Sequence, residues 1–195
     1  NMIPMNLLGG CPSAAYVDFG TWGRVAIKEA SRYCNVNVVA ATPDDARLGI
    51  VDSQYWAPYG DEAYFYYVDN ETVNGIEYDH VPNTGGISLI SDMSSNLLSR
   101  PFDVNAYDLF FACAQKNLGP AGVTIVVLKD ELLERDALPN TPSIFNYKMQ
   151  ADANSFLNTP PSYPWYMCSL VFKWVLEQGG VAEMDRRAKK RSNLL

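Results

Sequence analysis

Histidine is almost missing from this 195-residue chain, with His80 the single example. One imidazole and scattered thiols leave too few ligands for a zinc centre of the usual nitrogen–sulfur kind. His80 itself reads as a solvent-facing turn residue in a polar stretch. Cysteine is sparse as well: Cys11, Cys34, Cys113 and Cys168 lie far apart with no C-x-x-C pair. That spacing excludes a disulfide framework and points to reduced, structural thiols and a cytoplasmic location. No apolar run approaches the roughly 20 residues of a membrane-spanning helix, so no membrane partner is expected. Basic residues are in deficit, 15 against 22 acidic, for a net charge of -7. Nucleic acid and anionic membrane surfaces are therefore poor partners. The local exception, Arg186, Arg187, Lys189, Lys190 and Arg191, reads as the solvated face of a helix. The Gly-x-Ser-x-Gly and P-loop patterns, internal repeats and low-complexity segments are all absent. The acidic pairs Asp44–Asp45 and Asp61–Glu62 read as solvated.

What is present is a globular composition, 48% hydrophobic and 12% aromatic, with enough length for one substantial core. Strands are expected over 36–41, 63–68, 88–92, 109–114 and 122–128. They are almost continuously apolar, as strands covered on both faces of a parallel or mixed sheet are. Helices are expected over 20–34, with Val25, Ile27, Ala30 and Tyr33 facing inward, and over 130–135, 146–156, 164–178 and 180–193. Residues 44–59 read as a helix with a loop, and 69–87 as a long polar loop. The alternation of strand and helix predicts a three-layer α/β/α domain with a mostly parallel sheet. The opening Asn1-Met-Ile-Pro4 and the helical ending both read as the interior of a longer chain.

Three successive strands deliver polar groups where they leave the sheet: Asp69 to Thr72, Asp92, and Gln115 to Asn117. In open α/β sheets that edge is the ligand crevice. Lys116 follows an apolar strand, which would desolvate it partly and leave its amine available for Schiff-base chemistry. The plain alternative is an ordinary lysine entering a Gly/Pro turn. Asp92 is either a turn former or the carboxylate that a pyridoxal phosphate enzyme sets against its pyridinium nitrogen. By residue type alone, Trp22 reads as core.

The segments Asp69-Asn-Glu-Thr-Val-Asn-Gly-Ile-Glu77, Ser91-Asp-Met-Ser-Ser-Asn-Leu-Leu-Ser-Arg-Pro101 and Ala114-Gln-Lys-Asn-Leu-Gly-Pro-Ala-Gly-Val-Thr124 closely resemble the phosphoserine aminotransferases. So do Asn158-Thr-Pro-Pro161 and Leu176-Glu-Gln-Gly-Gly-Val-Ala182. That family comprises homodimeric fold-type-I enzymes dependent on pyridoxal 5'-phosphate. They move an amino group between glutamate and 3-phosphohydroxypyruvate in serine biosynthesis. The resemblance implies that Lys116 is the Schiff-base lysine, Asp92 the partner of the ring nitrogen and Trp22 the aromatic stacked on the ring. It places Thr72 near the ring's phenolic oxygen and Gln115 on the cofactor phosphate. Asn158 and Thr159 would reach the phosphate of the neighbouring subunit's cofactor. It further implies that residues 1–178 are an incomplete cofactor-binding large domain and that 179–195 begin the helix toward a small domain lying outside this segment. The substrate-binding arginines and histidines of the family fall outside it too, so no substrate residue is assigned. The piece alone is expected to be inactive. Two alternatives stand beside this reading: another fold-type-I transaminase or lyase, and a truncated fragment that serves only as a scaffold.

Overall fold

In the computed structural model, residues 1–42, 56 and 58–194 are described. The expected helix and loop over 44–59, with the Asp44–Asp45 pair, fall mostly outside those residues. Helices are α1 (Met2–Leu7), α2 (Thr21–Ala30), α3 (Tyr147–Asp152), α4 (Ser162–Glu177) and α5 (Gly180–Ser192). Strands are β1 (Ser13–Asp18), β2 (Asn35–Ala41), β3 (Phe65–Val68), β4 (Asn70–Glu71), β5 (Ile76–Glu77), β6 (Leu89–Asp92), β7 (Leu109–Cys113) and β8 (Thr124–Leu128). The segment 130–135 is a short 3-10 turn, Asp130–Glu134, rather than an α-helix.

Among the described residues the main sheet has six strands in the order β2-β1-β3-β6-β7-β8. The pairings β1–β2, β1–β3, β3–β6 and β6–β7 are parallel, and β8 closes the edge antiparallel to β7. Successive residues of a strand point to opposite faces, and here both faces are covered. Phe65 and Tyr67 of β3, with Leu89 of β6, enter one core together with Cys168 of α4. Tyr66 and Val68, with Ile90, enter the other core beside Ile3 of α1, Ala30 of α2 and Tyr147 of α3. This double burial is why the strands carry no apolar–polar alternation, and it gives the three layers expected.

Neither α1 nor β1 has a counterpart in the sequence reading. Pro4 interrupts the helical pattern of the first, and the small residues Ser13, Ala14 and Ala15 weaken the strand signal of the second. α2 is shorter than expected, and Val25 lies outside its buried face at 47% exposure. The span 69–87 is no featureless loop, because β4 and β5 pair into an antiparallel hairpin across a turn ending at Gly75. Glu62 departs from the solvated reading. Burial works against its charge, yet donors from Tyr59 N, Asn37 Nδ2 and Gly60 N hold its carboxyl below the usual range.

Candidate active site

The start of α2 has no side-chain cap of its own, since Gly20 occupies the N-cap position. Its first-turn N–H groups are satisfied from 48 to 53 residues further along the chain. Glu71 Oε2 accepts from Trp22 N at 2.9 Å, and Glu71 Oε1 from Gly23 N at 2.6 Å. Asn74 Oδ1 accepts from Thr21 N at 2.9 Å. Space dictates both glycines here. A Cβ at position 20 would lie 2.5 Å from Glu71 Cδ, and one at position 23 would lie 2.8 Å from the Val17 carbonyl oxygen. The hairpin that carries Glu71 thus seats the helix that carries Trp22.

That hairpin is in turn anchored by buried charge. Asp69 accepts from Tyr67 Oη at 2.9 Å, from Arg100 Nη2 at 2.9 Å, and from Asn96 Nδ2. Arg100 Nη2 also donates to the Tyr78 carbonyl at 2.6 Å and Nε to Glu77 at 3.3 Å. Burial pushes the Asp69 carboxyl up, against the pull of Asn96 and the Arg100 guanidinium.

Asp92 ends β6 on the face of Ile90, between neighbours β3 and β7. Its Oδ1 accepts from Ser94 N at 2.8 Å and from Ser94 Oγ at 2.5 Å, while Oδ2 accepts no hydrogen bond among the described residues. Ser94 Oγ in turn accepts from Cys113 N at 3.1 Å, tying the ends of β6 and β7 together. Burial raises the Asp92 carboxyl above the usual carboxylate range, opposed by the Ser94 donors and the nearby Lys116 ammonium.

Lys116 leaves β7 in a tight turn pinned by buried Ala114 and Leu118, with Gly119 N donating to the Ala114 carbonyl at 2.8 Å. Its Nζ donates to Thr72 Oγ1. Contrary to the expected desolvation, Lys116 is exposed, because the turn carries it past the strand's apolar end. Trp22 is not a core residue either: it is 45% exposed at the helix start. Trp22, Thr72, Asp92, Ser94, Gln115 and Lys116 line one cavity of about 140 Å³. Trp22 and Asp92 also border an adjoining cavity of about 180 Å³ against Tyr66 and Phe111.

Five of the seven residues assigned from the sequence therefore converge on one cavity. Asn158 and Thr159 do not join them. Both are exposed in the segment between α3 and α4, where Asn158 Nδ2 donates to the Thr159 carbonyl at 3.3 Å. Ser94 and Glu71 carry structural roles at the site that sequence reasoning left unassigned. Ser94 had a visible signal, a hydroxyl two residues after a strand-ending aspartate. Glu71 had none, since its partners lie 48 and 49 residues away.

An open α/β sheet with an amine, a half-buried carboxylate and an aromatic at the carboxyl ends of its strands is the framework of an aminotransferase. The chain belongs to the class-V aminotransferases, whose family model matches residues 1–195. Among named relatives, it is 50% identical over 192 residues to a phosphoserine aminotransferase of Coxiella burnetii (strain RSA 331 / Henzerling II), covering 98% of this chain and 53% of that protein. It superposes with a TM-score of 0.93 and 38% identity on a PLP-bound phosphoserine aminotransferase from Trichomonas vaginalis, covering 98% of this chain and 54% of that one. A phosphoserine aminotransferase from Bacillus circulans subsp. alkalophilus gives a TM-score of 0.94 at 38% identity, covering 99% and 53%. The chain spans about half the length of the curated relatives it matches.

Proposed function

We propose that this chain is the cofactor-binding half of a phosphoserine aminotransferase. The whole protein would transfer the amino group of L-glutamate to 3-phosphohydroxypyruvate, giving O-phospho-L-serine and 2-oxoglutarate. The observation that carries this reading is the convergence of Trp22, Thr72, Asp92, Gln115 and Lys116, from separate segments, on one cavity. The substrate pair rests on the names of relatives at about 50% identity.

The residues present fit pyridoxal 5'-phosphate. Asp92 offers a desolvated carboxylate with one oxygen open, suited to a protonated ring nitrogen. Trp22 offers an aromatic surface beside it, and Gln115 a neutral amide donor for phosphate oxygens. Thr72 holds the Lys116 amine over the same cavity, where that amine can bind a carbonyl carbon and carry a proton at Nζ. When bound, pyridoxal phosphate supplies the electron sink that lets an amino group pass between an amino acid and a keto acid. Asn158 and Thr159, exposed and away from the cavity, are suited to the phosphate of a second subunit's cofactor, so a homodimer is part of the proposal. The four free cysteines suit a reducing compartment, and the cytoplasm is the proposed location.

The test is mass spectrometry of the full-length protein after pyridoxal phosphate and borohydride. A stable adduct mapping to Lys116, with glutamate-dependent consumption of 3-phosphohydroxypyruvate, is expected. An adduct on another lysine would overturn the site. Turnover of other keto acids but not this one would overturn the substrate assignment.

A further inference from the structure

Glu71 is a carboxylate at 1% exposure that makes no ion pair among the described residues. Burying such a group is costly unless strong donors meet it. The donors here are the N–H groups of Trp22 and Gly23, with Glu71 using one oxygen on each. Those two amides are among the orphan donors of α2, and the partial positive charge of a helix start strengthens their bonds to an anion. The next residue, Thr72, accepts from Lys116 Nζ. Consecutive residues of one hairpin thus hold the backbone that carries Trp22 and the amine of Lys116, two residues that line the same cavity.

We propose that Glu71 is a positioning residue whose two-oxygen clamp on the first turn of α2 sets the place of Trp22 against the cavity, in register with the lysine held by Thr72. The proposal rests on the reading of this cavity as a pyridoxal phosphate site. A helix start is ordinarily an anion site, and here a built-in carboxylate already occupies two of its amides.

The experiment uses the full-length protein with Glu71→Ala, Trp22→Ala and the double variant, measuring the dissociation constant for pyridoxal phosphate in each. Removing the clamp is expected to weaken binding roughly tenfold when Trp22 is present, on the scale of a lost charged cap. It is expected to change binding by no more than about twofold when Trp22 is already alanine, because the two effects travel through one residue. Equal losses in both backgrounds would overturn the proposal, since a general structural role acts whether or not the indole is there. Glu71→Gln, nearly isosteric, covers the case in which the alanine variant does not fold. It retains one acceptor and turns a donor toward the other amide. Hydrogen exchange of the apo protein should then quicken over residues 20–24 while β1 and β3 stay unchanged. Unchanged exchange at 20–24 would overturn the clamp. Failure of the wild-type protein to take up pyridoxal phosphate would sink the functional reading instead, and the exchange measurement, which needs no cofactor, would still decide the clamp.

Discussion

At Asp92 burial opposes the carboxyl's charge, while the Ser94 donors and the Lys116 ammonium support it, and burial wins. A carboxyl raised on folding contributes its stability below the unfolded value of about 3.9 and loses it as pH climbs through the folded value. Asp92→Asn keeps Oδ1 as an acceptor for Ser94 and removes the charge. The apo full-length variant should therefore melt above wild type at neutral pH, with the gap closing toward pH 4. A lower melting temperature at neutral pH would contradict this. Under the proposed function the same substitution should depress transamination, since the ring nitrogen would lose its anionic partner. Lys116→Ala should eliminate the borohydride-stable adduct. It should also cut kcat by at least the roughly 10²–10⁴-fold typical of a lost general acid–base. Asp92 and Lys116 were legible in the sequence because one ends an apolar strand and the other lies three residues beyond one. The environment of Lys116 was not, because Thr72 lies 44 residues away and reaches it only once their separate segments lie side by side.

Among the elements, the β4–β5 hairpin does more than its two-residue strands suggest. It is fastened below by Asp69, Arg100 and Asn96 and presses upward on α2 through Glu71 and Asn74. Arg100→Ala would leave Asp69 buried with less compensation. Loss of one partner of a buried pair costs about 3–5 kcal/mol, and the figure should be smaller here because the Arg100 side chain is 28% exposed. Denaturant melts of the variant measure it, and a change within error of zero would mean the network is not what holds the hairpin. Gly23→Ala sets a methyl group 2.8 Å from the Val17 carbonyl and 3.3 Å from Glu71 Oε1. A cost of about 1–3 kcal/mol is expected from the forced shift. The sequence marked this span only as a long polar loop, because a hairpin of two-residue strands leaves almost no periodic trace.

For the molecule as a whole, the outer face of α4 is conspicuous. Tyr163, Tyr166, Leu170 and Trp174, which recur at helical spacing along α4, are 68%, 60%, 43% and 48% exposed. Contiguous apolar surface of this kind is normally covered in a folded assembly. Residues 1–195 taken alone should therefore self-associate in sedimentation and lose pyridoxal phosphate on dialysis. Their turnover should fall well below that of the full-length protein. A monodisperse piece with full turnover would refute this.

The apolar runs that become β2, β3, β6, β7 and β8, and the polar groups that close or follow three of them, were legible in the sequence itself. Apolar runs long enough to be buried on both faces, each closed by a polar group, specify a covered sheet with a reactive edge. Only the tertiary structure decided how Lys116 and Trp22 are presented, both exposed to a shared cavity rather than desolvated or buried. It alone also gave Glu71 its partners. Local spacing carries no record of which distant amides a carboxylate will meet, since that depends on a hairpin and a helix 48 and 49 residues apart folding together.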